Sequence, residues 1–172
     1  MKEDIKIQDQ GIEQYSKVTV IFGNFMMLLW IALGTIACRF LCGLVAWIYL
    51  ASAVIMVYVV LRKLVCTNCY YYGKWCAMGW GKLSALLYKK ADIKDFKTSI
   101  GVKLAPLTYG LLSIIPLILV VISIFLGFSI FKIVILVLLL LVSFYSGAIS
   151  RKKTCAQCKM KLMCPGSAEP KK

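Results

Sequence analysis

The sequence predicts an all-α integral membrane protein: four transmembrane helices arranged as two hairpin repeats, with an interfacial amphipathic helix in the long inner loop. Three observations predict it. Of the 172 residues, 61% are hydrophobic, well above the 45–50% or so of a soluble domain. The excess lies in four uncharged stretches, Val18 to Cys38, Phe40 to Leu61, Leu104 to Phe131 and Ile133 to Ser150, each long enough for the roughly 17–25 residues that cross a bilayer core. Finally, a short cysteine pattern recurs after the second and fourth stretches.

Residues 1–17 are polar and carry both charge signs. They read as a tail, poorly ordered or lying on the membrane surface. The first apolar stretch has the length of a full span and no small-residue cleavage site after it, so it reads as a retained helix. The chain divides into this tail, a first hairpin with a Cys-rich basic loop (18–103), and a second hairpin with a Cys-rich basic tail (104–172). The first hairpin is expected over 18–38 and 42–61, the second over 105–126 and 130–150. Gly127, Phe128 and Ser129 suit the second outer turn. Pro106 suits the first turn of a helix, where a missing N–H is harmless. Pro116 falls inside a span and removes an internal hydrogen bond.

Charge sets the orientation. Three Lys and Arg precede the first span, nine lie in 62–103 and seven follow Ser150, against only Arg39 and Lys132 in the two other loops. Positive charge accumulates on the cytoplasmic side. The reading is a multi-pass protein of the cell membrane with cytoplasmic N- and C-termini. The net charge of +14 fits attraction of these segments to anionic lipid headgroups. A protein partner on the cytoplasmic face is a further expectation, and no nucleic-acid motif is present. Within the long loop, Leu83, Leu86 and Leu87 share a helical face while Lys82, Lys89 and Lys90 lie elsewhere, so 80–90 reads as an interfacial helix. Trp75, Trp80, Tyr88 and the run Tyr70, Tyr71 and Tyr72 suit anchoring at headgroup level.

The repeat is R-K-x-x-C-x-x-C. Arg62, Lys63, Cys66 and Cys69 recur 89 positions later as Arg151, Lys152, Cys155 and Cys158, and a third cysteine follows each copy, Cys76 and Cys164. Cytoplasmic thiols stay reduced. Two C-x-x-C turns supply four thiolates, the ligand content of a closed zinc site or an Fe–S cluster. Cys66, Cys69, Cys155 and Cys158 are the natural metal set, and Cys76 and Cys164 complete an alternative one. Neighbouring Lys and Arg favour thiolate. Unliganded or acylated thiols and a redox dithiol are the competing readings. The run from Cys155 to Pro165 resembles the end of a bacterial ferredoxin motif but lacks its close third cysteine. Met160 and Met163 would suit a soft ion such as Cu(I). Cys38 and Cys42, near the outer turn, read as helical thiols.

There is no histidine, which removes His-based catalysis and His metal sites. No Asp or Glu lies in a span, which disfavours ion-coupled transport. No phosphate loop or nucleophile elbow is present; whether the chain is an enzyme stays open, with a non-catalytic role preferred. The function expected is a binding or assembly module whose cytoplasmic Cys-ligated metal, zinc or Fe–S, joins the two hairpins. The alternatives are a membrane redox protein and a soft-metal carrier.

Overall fold

Ser16 starts the first helix: its extended backbone turns the chain and its hydroxyl accepts from Thr19 N at 3.3 Å, satisfying one of the free donors of a helix start. The computed structural model describes residues 8–169; residues 1–7, the part of the expected polar tail nearest the N-terminus, lie outside them. Five helices are named here. They are α1 (Lys17–Arg39), α2 (Gly43–Asn68), α3 (Trp80–Leu87), α4 (Ile100–Leu126) and α5 (Ile130–Ala156). No strand occurs among the described residues, only an isolated bridge between Ile12 and Cys158. Four helices, α1, α2, α4 and α5, are long and apolar enough to span a membrane; in the case of α4 the apolar helical segment extends back to Ile93.

Helix α1 packs against α2, α4 and α5, and α4 packs against α5. Trp30, Leu33, Ala37, Tyr49, Ala53, Val57, Leu112, Val120, Ile135 and Leu139 form one buried cluster among them. Much of the apolar surface still faces outward. Trp47 is 70% exposed, Phe125 87% and Leu44 68%, the distribution expected when lipid supplies the outer contact. These features make the chain a multi-pass membrane protein.

Several boundaries differ from those the sequence predicts. Helix α4 begins at Ile100 rather than near residue 105, because Ser99 caps it: the hydroxyl accepts from Gly101 N and donates to Leu64 O at 2.7 Å. Pro106 therefore sits inside the helix rather than in its first turn. Gly101 lets α4 approach α2 here, since a Cβ would fall 2.7 Å from the Leu64 carbonyl carbon. Helices α2 and α5 run past residues 61 and 150 to Asn68 and Ala156. Cys66 and Cys155 consequently lie on helical backbone, not in free turns. Each helix also contains a π-helical turn, Ile55–Val60 in α2 and Tyr145–Ser150 in α5. Both turns immediately precede the segments that carry Arg62 and Arg151.

Several polar groups inside the bundle are paired between helices, whereas the buried Thr108 Oγ1 and Ser143 Oγ have no hydrogen-bond partner among the described residues. Pro116 has no N–H to give Leu112 O, its partner four residues earlier. The hydroxyl of Tyr49, from α2, donates to that carbonyl instead at 2.9 Å. Gly34 of α1 makes room for the tyrosine, for a Cβ there would collide with its ring. At the opposite end, Lys132 Nζ donates to Ser123 O at 2.8 Å and Gly127 O at 2.7 Å, adding a positive charge at the C-terminus of α4, where Ser123 O also accepts from Gly127 N.

Tyr49→Phe is expected to cost about 1–3 kcal/mol of stability by leaving Leu112 O unpaired. In a Pro116→Ala background, where residue 116 regains its N–H, the same change should cost less. A double-mutant cycle on thermal unfolding in detergent measures the difference; an unchanged cost would refute the pairing.

Candidate functional site

Both copies of the cysteine motif end at the same end of the bundle, where the described part of the N-terminal segment, the 62–99 loop and the C-terminal segment meet. Tyr71 is the meeting point. It is 2% exposed; its hydroxyl donates to Ile12 O at 2.7 Å and accepts from Lys159 N at 3.2 Å. One phenol thus joins three segments remote in sequence. Backbone bonds reinforce it: Ile12 N to Gln157 O, Gln8 N to Lys159 O and Tyr15 N to Trp75 O. The Tyr15 hydroxyl donates to Thr154 O at 2.9 Å. Gly11 permits the close passage, because a Cβ would meet the Lys159 backbone at 2.8 Å. Residues 8–16 therefore act as a strap across both cysteine segments.

An ionic cluster closes the strap. Glu13 accepts from Lys159, from Tyr70 OH at 2.7 Å and from Lys74 Nζ at 3.2 Å. The Lys159 hydrogen bond first, then those of Tyr70 and Lys74, hold its carboxyl down to about 2. The group is solvent-exposed, so its energetic weight is screened. The three tyrosines expected to anchor at headgroups all use their hydroxyls within the protein, Tyr72 on Tyr88 O at 2.6 Å.

Beneath the strap lies a second apolar cluster of Phe96, Val102 and Met160, with Val65, Cys69, Tyr70, Ile93, Cys158, Met163 and Cys164 packed against it. It brings together Cys69 and Cys158, the second cysteines of the two copies. Burial pushes the Cys69 thiol well above its usual range, with the thiols of Cys66, Cys158 and Cys76 adding to the shift against a backbone hydrogen bond with Tyr71. Burial likewise pushes Cys158 up to about 11, with Cys155 and Cys164 contributing. Burial here thus outweighs the hydrogen bonds and favours the neutral thiols.

The first cysteines part company. Cys66 is buried toward the bundle, with Arg62 Nη1 at 4.0 Å from its sulfur, and Cys76 accepts from Trp80 N at 3.1 Å. Cys155 and Cys164 are half-buried. No disulfide joins any of the eight cysteines. Among the described residues, no group of three or more Cys, Asp or Glu is placed to hold a metal ion. The closed four-thiolate arrangement of Cys66, Cys69, Cys155 and Cys158 is therefore not assembled in this conformation. Cys38 is buried in α1 as a helical thiol, while Cys42 is exposed just before α2.

Helix α3 spans the leucine-rich part of the loop. Gly81 and Ser84 face inward, with Ser84 Oγ donating to Arg62 O at 3.2 Å, and Leu86 is 83% exposed. The Trp80 ring is turned onto Arg62 and Tyr58 rather than outward. Sequence reading missed Tyr15, Glu13, the inward hydrogen bonds of Tyr71 and the burial of Arg62; only the acids of the N-terminal segment, facing a strongly basic chain, hinted at the strap. The chain matches no protein-family model, no curated protein and no solved structure.

Because the folded carboxyl of Glu13 sits below its ordinary 4.5, its contribution is present above about pH 4.5 and lost as pH falls toward 2. Glu13→Gln should remove it at every pH. Amide exchange at Gln8, Ile12 and Tyr15, corrected for intrinsic rates, should rise in the variant at neutral pH and in the parent on acidification. Equal protection in both proteins at neutral pH would show that the cluster does not hold the strap.

Proposed function

We propose that the chain is a binding and assembly module of the cell membrane, with cytoplasmic termini, built from two hairpin repeats whose cysteine segments take up a thiolate-bound metal, zinc or an Fe–S cluster. The observation that carries this reading is the meeting of Cys69 and Cys158, equivalent positions of the two copies, in one apolar cluster. Two further features favour a repeat. The π turns precede the motif in both halves, and α2 and α5 both end on it. Cys69 and Cys158 form the nucleus of the proposed site, and loading draws Cys66 and Cys155 or Cys76 and Cys164 to them. Such a metal would fix the two halves together and present the basic face, with the exposed leucines of α3 laid on anionic lipid, to a protein partner. A structural four-thiolate site adds about 10–16 kcal/mol of apparent binding energy in zinc-finger peptides, enough to offset the rearrangement.

Protein purified anaerobically without chelator should contain about one zinc or one cluster per chain. Cys69→Ser and Cys158→Ser, singly, should each lose the metal and lower thermal stability to a similar degree, whereas Cys38→Ser should not change metal content. A metal-free parent in which Cys69 and Cys158 crosslink under mild oxidation would replace the metal reading with the redox one. Orientation is checked separately. Impermeant maleimide added to sealed, intact cells should leave Cys155 unmodified until the membrane is opened; labelling from outside would invert the topology.

A further inference from the structure

Arg62 is fully buried, with 0% exposure, at the loop end of α2 where the uncharged stretch stops. Its guanidinium lies over the Trp80 ring, with Tyr58 5.4 Å from the guanidinium carbon. Nη1 faces Cys66 Sγ at 4.0 Å. Its Nε and Nη2, and Nε1 of Trp80, are buried and have no hydrogen-bond partner among the described residues. All three are donors. An arginine does not escape burial by losing its proton, and an unpaired buried cation is strongly destabilising. Stacking on Trp80 and Tyr58 offsets part of that cost but satisfies no N–H.

Among the described residues no carboxylate pairs with this charge. No Asp or Glu occurs from residue 14 to 91 or from 96 to 168, and Glu13 is taken by Lys74, Lys159 and Tyr70. A Cys66 thiolate could balance the charge from the Nη1 side, yet it would leave the other edge of the guanidinium bare. That edge, Nε–H with Nη2–H, is the planar fork that takes two oxygens of one phosphate or carboxylate. The matched Arg151 has no such need, since its Nη2 donates to Gly166 O from an exposed position.

We propose that Arg62 and Trp80 form a binding site for a phosphate-class anion, occupied by the phosphate of an anionic membrane lipid. Two oxygens of one phosphate take the Nε–Nη2 fork and a third accepts from the indole N–H. The level in the fold suits a lipid, because the end of a span is where headgroup phosphates lie and basic segments attract them. Helix α3 carries Trp80 over the arginine and is fastened there by Ser84 Oγ, which donates to Arg62 O. This site requires no metal, although it adjoins Cys66, whose sulfur lies 4.0 Å from Arg62 Nη1.

The test uses the full-length protein, stripped of lipid in an uncharged detergent. It is titrated with short-chain phosphatidylglycerol, with phosphatidylcholine of the same chain length and with inorganic phosphate. The Trp80 indole N–H signal and the thermal midpoint are followed. A saturable shift of that signal with a rise in midpoint, given by phosphatidylglycerol at concentrations where phosphatidylcholine gives neither, is expected. Arg62→Gln should weaken the stabilisation at least about tenfold in concentration, roughly the loss of one charge-assisted contact. Trp80→Phe, which keeps the ring and removes only the N–H, should weaken it several-fold and guards against a folding defect in the arginine variant. Saturation by inorganic phosphate alone, at similar concentrations, would support the anion site and overturn the lipid as its occupant. No saturable shift with any of the three, or phosphatidylglycerol stabilisation that survives both substitutions undiminished, would overturn the site itself.

Discussion

Tyr49 reaching across to Leu112 O states the constraint on which the bundle depends. In apolar surroundings water does not repair a missing hydrogen bond, so each polar atom needs a partner from the chain. Proline at 116 creates a debt on one helix, and a tyrosine on another settles it, with a glycine on a third leaving the space. Three helices are thereby fixed in register at one point by a polar requirement rather than by apolar packing alone. The same logic recurs where Lys132 closes the end of α4 and where Asn24 of α1 donates to Val20 O and to Met78 O of the long loop. A span carries few polar side chains, and here those few decide how the helices meet.

At the cysteine end the chain works differently. Water is near, and three segments meet there, of which the loop and the C-terminal segment are basic and the strap is acidic. What holds them is a dense set of hydrogen bonds centred on Tyr71, over a small apolar cluster around Met160. The strap supplies the acid that the lysines of both basic segments share. Lys74 and Lys159, one from the loop and one from the C-terminal segment, would repel each other without Glu13 between them. Its single carboxylate thereby acts as a charge bridge between parts of the chain separated by about half of the sequence.

The four spans were legible because length and the absence of charge suffice to identify them. Cys38 read correctly as a buried helical thiol. Helix ends were less legible. The start of α4 depends on Ser99 finding Leu64 O, a contact between segments that no local pattern encodes. The extensions of α2 and α5 through Cys66 and Cys155 override a C-x-x-C spacing that, by itself, suggests a turn. The tyrosine run was legible as amphipathic but not as to where its hydroxyls go, because their partners, Glu13, Ile12 and Tyr88, lie up to 59 residues away. Arg62 looked like an ordinary flanking cation. Its burial depends on Trp80 folding back over it, a tertiary event.

The two π turns have a bearing on how such a chain can change. A π turn is a helix carrying one residue more than an α-helical turn needs, and one residue corresponds to about 100° of rotation around the axis. The apolar part of α2 and the segment bearing Arg62 and Cys66 are therefore phased independently, with the surplus residue of Ile55–Val60 as the adjuster. The same holds for α5 ahead of Arg151. Lipid-facing positions could drift or lengthen by a residue while the turn absorbs the mismatch, and the aim of the terminal segment would be preserved. Conversely, losing that residue would swing the arginine about 100° around the axis and away from Trp80. The helix is in this sense jointed: a barrel whose bore is set by the membrane, and a tip whose direction is set on its own.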